Sequence, residues 1–329
     1  MKTRKCRRSV TAGMSTSRFL ACSVLFTAAC TLAGAQQASR TAAGLPQNIK
    51  VVNFGECVSG ACFAPDGKRI LLVGAEPSGL YTLDKKLIVA LEPAQQGSSK
   101  ALSVACFSPD GKLIVAQLRD KTLVVFSATG QKIRELTPHE SGVLGMAISR
   151  DGQFMVTSAF KTMRLWKAGG EPIRDIPAYL VNDVAISANG SIVAGFSQDE
   201  HAVKLWNADG TPLATFTGNE KWSGDGIDFS PDGKLIVYGG PKNSVLISPL
   251  AGGDTLTLLS GQAEPISAVA FSPDGRYVAS GSDNGVLKVW SVQGELLREI
   301  KPEGKLSSVG VVAWSPDGAI IATAGGGCW

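Results

Sequence analysis

The sequence is poor in the residue types that build catalytic and metal centres. Only two histidines occur among 329 residues, and the seven cysteines include no C-x-x-C pair. The patterns G-x-S-x-G and H-E-x-x-H are missing, as are a P-loop and an EF-hand loop. These absences argue against the common hydrolases, nucleotide-dependent enzymes and metalloproteins, so we expect no metal, no other cofactor and no enzymatic activity.

The first 35 residues differ in composition from the rest of the chain. Residues 1–18 carry six basic residues and no acid, residues 19–34 are uncharged, and the stretch ends in Ala33-Gly34-Ala35. A basic segment, an apolar segment and an A-x-A site are typical of a secretory signal peptide. We therefore predict a signal peptide over residues 1–35, a linker over 36–47, and export to the periplasm or the extracellular space.

Two other interpretations of the leader remain open. Thr27-Ala28-Ala29-Cys30 resembles a lipobox, which would make the protein a lipoprotein acylated on Cys30. An uncleaved leader would instead be a membrane anchor, although 16 apolar residues are fewer than the roughly 20 that a spanning helix needs.

A large net charge is lacking once the leader is set aside. The whole chain has 32 basic and 28 acidic residues, and the leader accounts for six of the basic ones. The remainder has 26 basic and 28 acidic residues, a net charge of −2. This balance gives no electrostatic reason to expect nucleic acid as a partner. The expected partners are other proteins or peptides, with membrane contact only through the leader or a lipid on Cys30.

What the chain does contain is an internal repeat. A turn motif of the form S-P-D-G, or a close variant, occurs seven times at intervals of 38 to 44 residues. Recurrence at this period indicates equivalent structural units, as in propellers and solenoids. The motif glycines are Gly67, Gly111, Gly152, Gly190, Gly233, Gly275 and Gly318.

Each unit has the pattern of four short strands. An apolar run precedes the motif, Pro and Gly favour a tight turn, and a second apolar run follows. A third strand ends in pairs such as Leu165-Trp166 or Val289-Trp290, and an amphipathic fourth strand follows a glycine-containing turn. Four antiparallel strands form one propeller blade. The sequence therefore predicts an all-β, seven-bladed β-propeller of four-stranded antiparallel blades over residues 48–329.

The period, the S-P-D-G turn and the strand ending Lys204-Leu205-Trp206 resemble WD40 repeats. With the leader, the resemblance suggests a bacterial, exported member, although other bacterial propellers, with YVTN or periplasmic translocation-type repeats, also contain S-P-D-G. The signature is imperfect, because only His139 occupies the usual Gly-His position and Gln262 takes the equivalent place. No Asp follows any of the strand-ending tryptophans. We therefore expect the family's buried Asp-His-Ser-Trp hydrogen-bond network to be largely absent.

Ring closure is the least regular part of the pattern. Residues 49–54 are expected to supply the outer strand of the last blade, as N-terminal segments do in WD40 propellers. The last unit has strands ending at Trp314 and over residues 320–324, and only five residues follow. It is thus about five residues short of a full third strand. Either the ring closes weakly or the chain is truncated, and an unpaired strand edge favours aggregation.

The four cysteines outside the leader fall into two pairs. Cys62 and Cys106 stand just before the motif in the first strand, where other units have mostly Ala, so we expect them to be core residues. Cys57 follows the presumed closing strand and Cys328 ends the incomplete blade. In an oxidising compartment these two could form a disulfide that closes the ring.

The resemblance also implies where partners bind. WD40 propellers usually bind through the loops before the first strand and between the second and third strands of each blade. Trp222 is the candidate of greatest interest, because exposed aromatic residues often anchor interfaces, although a core position is equally compatible with the pattern. The candidate residues in these loops are Arg119, Asp120, Phe160, Tyr179, Asp199, His201, Lys221, Trp222, Lys242 and Asp283.

Three functions are compatible with these features. The first is a non-catalytic protein-interaction scaffold in the cell envelope, since rigid blades that present variable loops suit binding. The second is a propeller hydrolase of the lactonase type, which would need inward-facing acids or histidines around a metal, and Asp183 and Asp228 are the main acids of the first strands. The third is an accessory subunit of an envelope assembly complex. The sequence favours the first.

Overall fold

The computed structural model describes residues 49–55, 58–74, 77–91, 102–118, 122–136, 139–217, 226–250, 257–259, 262, 264–301 and 307–325. The predicted leader, the lipobox cysteine Cys30 and the whole of the predicted linker lie outside these ranges. Cys57 and Cys328 lie outside them too, so their disulfide stays a prediction.

Six four-stranded sheets follow one another along the chain, each with its strands in sequence order. Blade 1 contains β2 (Gly60–Phe63), β3 (Arg69–Val73), β4 (Gly79–Thr82) and β5 (Leu87–Ala90). Blade 2 contains β6 (Leu102–Phe107), β7 (Leu113–Leu118), β8 (Leu123–Ser127) and β9 (Lys132–Leu136). Blade 3 contains β10 (Gly145–Ile148), β11 (Phe154–Ser158), β12 (Thr162–Lys167) and β13 (Pro172–Pro177).

Blades 4 to 6 repeat the same arrangement. Blade 4 contains β14 (Val181–Ile186), β15 (Ile192–Ser197), β16 (Ala202–Asn207) and β17 (Pro212–Thr217). Blade 5 contains β18 (Ile227–Phe229), β19 (Leu235–Gly240), a 3₁₀ turn (Pro241–Asn243), β20 (Ser244–Pro249) and β21 (Thr257–Leu259). Blade 6 contains β22 (Ile266–Phe271), β23 (Tyr277–Ser282), β24 (Leu287–Ser291) and β25 (Leu296–Ile300). The predicted all-β, seven-bladed propeller is confirmed, and blades 1 to 6 have the four antiparallel strands that were predicted.

The seventh blade closes the ring differently from the prediction. It consists of β26 (Val311–Trp314), β27 (Ile320–Ala324) and β1 (Lys50–Asn53). We expected β1 as the outer strand, but it lies directly beside β27 and runs parallel to it. In a four-stranded meander the second and fourth strands run in the same direction, so β1 keeps the direction of an outer strand. Among the described residues, no antiparallel third strand separates it from β27.

The S-P-D-G turns are held by the side chains of their own Ser and Asp. In blade 5, the Leu235 N–H donates to Ser230 Oγ at 2.9 Å, and the Lys234 N–H donates to Asp232 Oδ1 at 3.1 Å. The Ser230 hydroxyl donates to the same Asp232 oxygen at 2.6 Å. Gly233 has a φ of 68°, a conformation that favours glycine. These local bonds explain why the motif recurs between the first two strands of the blades.

Neighbouring turns also contact each other around one end of the ring. A Cβ added to Gly111 would lie 3.2 Å from Pro65 Cδ, so this glycine is needed for close approach as well as for its φ of 69°. The proline of each such turn packs on the glycine of the next blade's turn. The same contact joins Pro109 to Gly152, Pro231 to Gly275, Pro273 to Gly318 and, across the ring closure, Pro316 to Gly67.

Two junctions lack this contact because their turns lack the proline. Arg150 and Ala188 replace it in blades 3 and 4. At the junction of blades 3 and 4, the ring of Phe154 covers Gly190 instead. At the junction of blades 4 and 5, no described atom lies within 4 Å of a Cβ added to Gly233. The ring of turn contacts is therefore open at the junction of blades 4 and 5.

The hydrophobic core lies between the faces of adjacent blades. One buried cluster joins residues of blades 1 and 2, among them Cys62 and Cys106, and reaches Trp166 in blade 3. Both thiols are buried and free, as expected for core residues. Burial, with a smaller contribution from the neighbouring Cys62, raises the pKa of the Cys106 thiol, which keeps it protonated and unreactive.

Blade 3 contains a buried hydrogen-bond network centred on Thr157. Trp166 Nε1–H donates to Thr157 Oγ1 at 2.8 Å, and His139 Nε2 lies 2.8 Å from the same oxygen. His139 Nδ1 lies 3.1 Å from Thr162 Oγ1. Because the hydroxyl accepts from the indole, its own proton is available to an unprotonated Nε2. The network links the loop before the first strand to the second and third strands.

Blade 6 builds the same network without a histidine. Gln262 Nε2 donates to Ser280 Oγ at 2.8 Å, and Trp290 Nε1 donates to that oxygen at 2.9 Å. In blade 5 the large and small partners are exchanged between strands, since Tyr238 on the second strand bonds Ser248 on the third, at 3.0 Å. The expectation that such networks are largely absent was therefore too strong, because a glutamine replaces the histidine in one blade and a tyrosine replaces the tryptophan in another.

Substituting His139→Gln is expected to remove the contribution of this histidine to the pH dependence of stability while preserving the fold. Burial, followed by the nearby Arg164 charge, lowers the pKa of His139 from 6.5 to about 4. A lowered folded-state pKa means that the contribution to stability is complete above pH 6.5 and is lost as the pH falls toward 4. Between pH 7.5 and 5 the loss is about 2 kcal/mol.

Urea unfolding of the wild type and of His139→Gln at pH 7.5 and pH 5 measures this difference. The reverse substitution, Gln262→His in blade 6, places a histidine at the equivalent position. It should make the stability fall with decreasing pH by a similar amount. An equal change in stability between the two pH values in both proteins would contradict the assignment.

Candidate protein-interaction site

Two exposed aromatic side chains meet at one end of the ring, between blades 3 and 4. Phe160 lies in the turn between β11 and β12, and Tyr179 lies in the segment between β13 and β14. Their ring centroids are 4.9 Å apart at an interplanar angle of 66°, an edge-to-face contact. The two residues are 38% and 47% exposed. This pair, called the aromatic corner below, combines two residues that the sequence proposed separately.

Backbone hydrogen bonds fix the segments that carry the aromatic corner. The Leu180 N–H donates to the Phe160 carbonyl at 2.9 Å, and the Gln198 N–H donates to the Leu180 carbonyl at 3.0 Å. The Ala178 N–H donates to the Lys161 carbonyl at 3.2 Å. Loops of blades 3 and 4 are thereby joined into one unit. The aromatic rings consequently lie on a preorganised surface.

Leu180 has a strained backbone at this junction. Its φ is 47°, in the left-handed region that costs a residue with a Cβ on the order of 1–2 kcal/mol. The two hydrogen bonds of Leu180 hold it there. Such strain persists where the surrounding structure over-determines it, and it concentrates at binding and functional sites.

A groove extends from the aromatic corner along the outer half of blade 4. It has a volume of about 460 Å³. Leu205 and Trp206, both buried, lie at its floor, and Tyr179 lines its wall. The charged residues that line it are Lys161, Glu200 and Lys204. We call this cavity the 3–4 groove.

The turn between β15 and β16 lines the 3–4 groove with Glu200 and carries two of the predicted residues beside it. Asp199 is exposed, and His201 is half-buried with a φ of 49°. The Nδ1 atom of His201 is buried and has no hydrogen-bond partner among the described residues. Glu200, between them, accepts a hydrogen bond from Lys204 Nζ at 2.5 Å.

The remaining candidates lie elsewhere. Lys242 is exposed in the 3₁₀ turn of blade 5, with a φ of 55°. Asp283 is exposed in the turn between β23 and β24 of blade 6 and accepts a hydrogen bond from the Ser267 hydroxyl. Both therefore lie in other blades than the aromatic corner, which belongs to blades 3 and 4. Arg119, Asp120, Lys221 and Trp222 lie outside the described residues, so their roles stay predictions.

The first-strand acids that a propeller enzyme would need are buried side chains within the blades. Asp183 and Asp228 are almost fully buried. Asp228 Oδ2 accepts a hydrogen bond from the Phe271 N–H of blade 6 at 2.8 Å. No group of three His, Cys, Asp or Glu side chains suited to a metal occurs in the described part of the chain. Within the same ranges, no helical segment has the length and hydrophobicity of a transmembrane span.

Several residues of the groove were not predicted from the sequence. Lys161 directly follows Phe160, so a search of the whole turn would have found it. Glu200 lies between two predicted residues. Lys204 and Trp206 belong to the third-strand ending, which the sequence analysis used only as a repeat signature. Their exposure to a groove depends on how blade 4 packs against blade 3, which a repeat pattern does not encode.

The fold and the site define a class of protein: a seven-bladed propeller with a preorganised aromatic surface on its loops. The family model for WD40, described as WD domain, G-beta repeat, matches residues 130–167 and 253–291. Thr157 and Trp166 fall in the first stretch, and Gln262, Ser280 and Trp290 in the second. These two stretches of the chain thus match the WD40 model, and they carry the Thr157 and Ser280 networks.

Curated relatives are similar over part of the chain. The protein ANTHESIS POMOTING FACTOR 1 of Arabidopsis thaliana is 29% identical over 208 residues, which cover 58% of this chain and 60% of that protein. Transcription initiation factor TFIID subunit 5 of Caenorhabditis elegans is 28% identical over 197 residues, 58% of this chain and 30% of that protein. Small ribosomal subunit protein RACK1 of Caenorhabditis elegans is 26% identical over 275 residues, covering 63% and 84%. The chain therefore spans 60% or less of the first two relatives.

Proposed function

We propose that this protein is a non-catalytic protein-interaction platform whose partner binds at the aromatic corner. The observation that carries the proposal is the exposed Phe160–Tyr179 pair on a hydrogen-bonded, strained support. Large aromatic side chains dominate the energetics of interfaces, and a rigid support lowers the entropy lost on binding.

The similar proteins support an interaction role. One relative is named as a subunit of a transcription initiation factor, and another as a protein of the small ribosomal subunit. Propellers with WD40 repeats present variable loops on a rigid scaffold, which suits assembly of protein complexes. We propose that the present chain likewise acts as a subunit or scaffold, with proteins or peptides as its partners.

We further propose that the platform works outside the cytoplasm, in the periplasm or beyond the cell. The basic, apolar and A-x-A segments of residues 1–35 support this location. The N-terminal sequence of protein recovered from the producing cell tests it. A mature chain that begins at Gln36 agrees with export, whereas an intact leader on cytosolic protein would contradict it.

Replacing both aromatic residues, Phe160→Ser and Tyr179→Ser, is expected to weaken partner binding by at least about 30-fold, because interface aromatics commonly contribute 2 kcal/mol or more each. Proteins captured by the immobilised wild type are identified and their binding to purified variants is measured.

The matched control is Ile133→Ser with Leu296→Ser. These residues are 53% and 44% exposed but lie on the outer strands of blades 2 and 6, away from the aromatic corner. The control should bind like the wild type, and all variants should unfold at similar temperatures. Equal binding by the aromatic variant and the wild type would refute the proposal.

A further inference from the structure

We infer that the 3–4 groove binds an extended segment of the partner protein that carries an apolar side chain and, close to it, a carboxylate. The inference rests on the proposed function, because the groove begins at the aromatic corner and shares Tyr179 with it. It adds the conformation and the chemistry of the bound segment.

The groove follows an outer strand, which favours an extended ligand. It is lined by three residues of β16 (204–206) and by three of β17 (212, 214 and 215), a length of about 10–13 Å at roughly 3.3 Å per residue. In the described part of the chain, β17 is the outermost strand of blade 4. An outer strand can bond the backbone of an extended segment, whereas a helix has already paired its own backbone groups.

The floor and walls of the groove suit an apolar side chain. Leu205 and Trp206 pack beneath it, and Pro177 and Tyr179 stand at the side of blade 3. Ala214 pairs with Leu205 of the third strand. In blades 3 and 6 the residue at the equivalent position of the outer strand is an arginine. Space remains in the groove because alanine is much smaller than arginine. An apolar side chain placed over Ala214 would remove apolar surface of both molecules from water. Burial of this kind stabilises a complex by about 25 cal/mol per Å² of apolar surface.

The charges of the groove favour an acidic partner residue. Lys204 and Glu200 neutralise each other through their 2.5 Å contact. Lys161 is exposed and forms no recorded ion pair within the described part of the chain, so it gives the groove a net positive charge. An exposed ion pair contributes little to affinity, but it orients a ligand and discriminates against the wrong charge. A carboxylate beside Lys161 would fix the direction of the bound segment relative to Phe160.

Random linear peptides displayed on phage and selected on the immobilised full-length protein test the inference. We expect enrichment of an apolar residue with Asp or Glu a few positions away. Synthetic versions of the selected peptides should bind the Ala214→Trp variant, whose groove is filled, at least about tenfold more weakly. Lys161→Glu should weaken the binding of the acidic peptides and strengthen the binding of analogues in which the acidic residue is replaced by Lys. Ala90→Trp, on the exposed outer strand of blade 1, is the matched control and should bind like the wild type.

The outcomes separate the groove from the aromatic corner. Selected peptides without an acidic bias, or with equal affinity for Ala214→Trp and the wild type, overturn the inference. If such peptides still depend on Phe160 and Tyr179, the proposed function survives without the groove. If they depend on neither, both fail. A selection that yields no binder also overturns the inference, while protein capture tests the proposed function separately.

Discussion

In a His139→Gln background, the free energy of unfolding is expected to fall by about 3 kcal/mol between pH 5 and pH 8, and Asp228→Asn should remove most of that fall. Burial raises the pKa of Asp228 from 3.8 to about 7, against the hydrogen bond from the Phe271 N–H and the charge of Arg150, which lower it. A raised folded-state pKa means that the stabilising proton is held below pH 4 and lost as the pH rises through 7.

The His139→Gln background is needed because His139 gives a slope of opposite sign between pH 4 and 6.5. Urea unfolding at several pH values measures both variants, and Asp199→Asn, at an exposed carboxylate, is the control that should leave the slope unchanged. In the Asp228→Asn variant, the amide oxygen of the introduced asparagine can still accept from the Phe271 N–H, so the blade 5 to blade 6 contact is kept. An unaltered slope in that variant would show that Asp228 is ionised throughout.

Thr157→Val is expected to destabilise the protein by about 2–6 kcal/mol, because the substitution keeps the side-chain volume but removes the hydroxyl at the centre of the blade 3 network. Trp166 Nε1–H and His139 Nε2 would each lose their partner in a buried site, at about 1–3 kcal/mol apiece. Thermal and urea unfolding measure the loss.

Thr157→Ser is the control for that substitution. It keeps the hydroxyl and removes one methyl group, so it should cost only about 1 kcal/mol. Blade 6 shows that a serine is sufficient at this position, since Ser280 Oγ accepts hydrogen bonds from both Trp290 Nε1 and Gln262 Nε2. If Thr157→Val and Thr157→Ser reduce the free energy of unfolding equally, the hydrogen bonds of the network contribute nothing to stability beyond packing.

The repeat made the fold predictable, because each blade is defined by local signals. Ser and Asp of the turn bond to backbone groups within five residues, so the motif alone indicates where two strands meet. Ring closure was not predictable in the same way. The position of β1 depends on which strands of a distant blade are present beside it, and residue types such as Val51 and Val52 suit a third or a fourth strand equally.

The site was predictable only as separate residues. Phe160 and Tyr179 were both among the predicted loop residues, but their contact depends on the left-handed turn at Leu180, which no residue pattern indicates. The 3–4 groove depends on the small side chain of Ala214 facing a neighbouring blade. The sequence placed Gln262 at the histidine position, but the hydrogen bonds of Gln262 and Tyr238 follow from packing between strands and not from the family signature.

The open position at Gly233 has a consequence for which residues the turns can accept. Five of the seven turn glycines have a proline of the preceding turn within 4 Å of an added Cβ, and a sixth, Gly190, has the ring of Phe154 there. A side chain at any of these six positions would contact the neighbouring blade, so its fit depends on two blades at once. At Gly233 no described atom lies within 4 Å of an added Cβ, so the φ of 68° is what restricts the residue there.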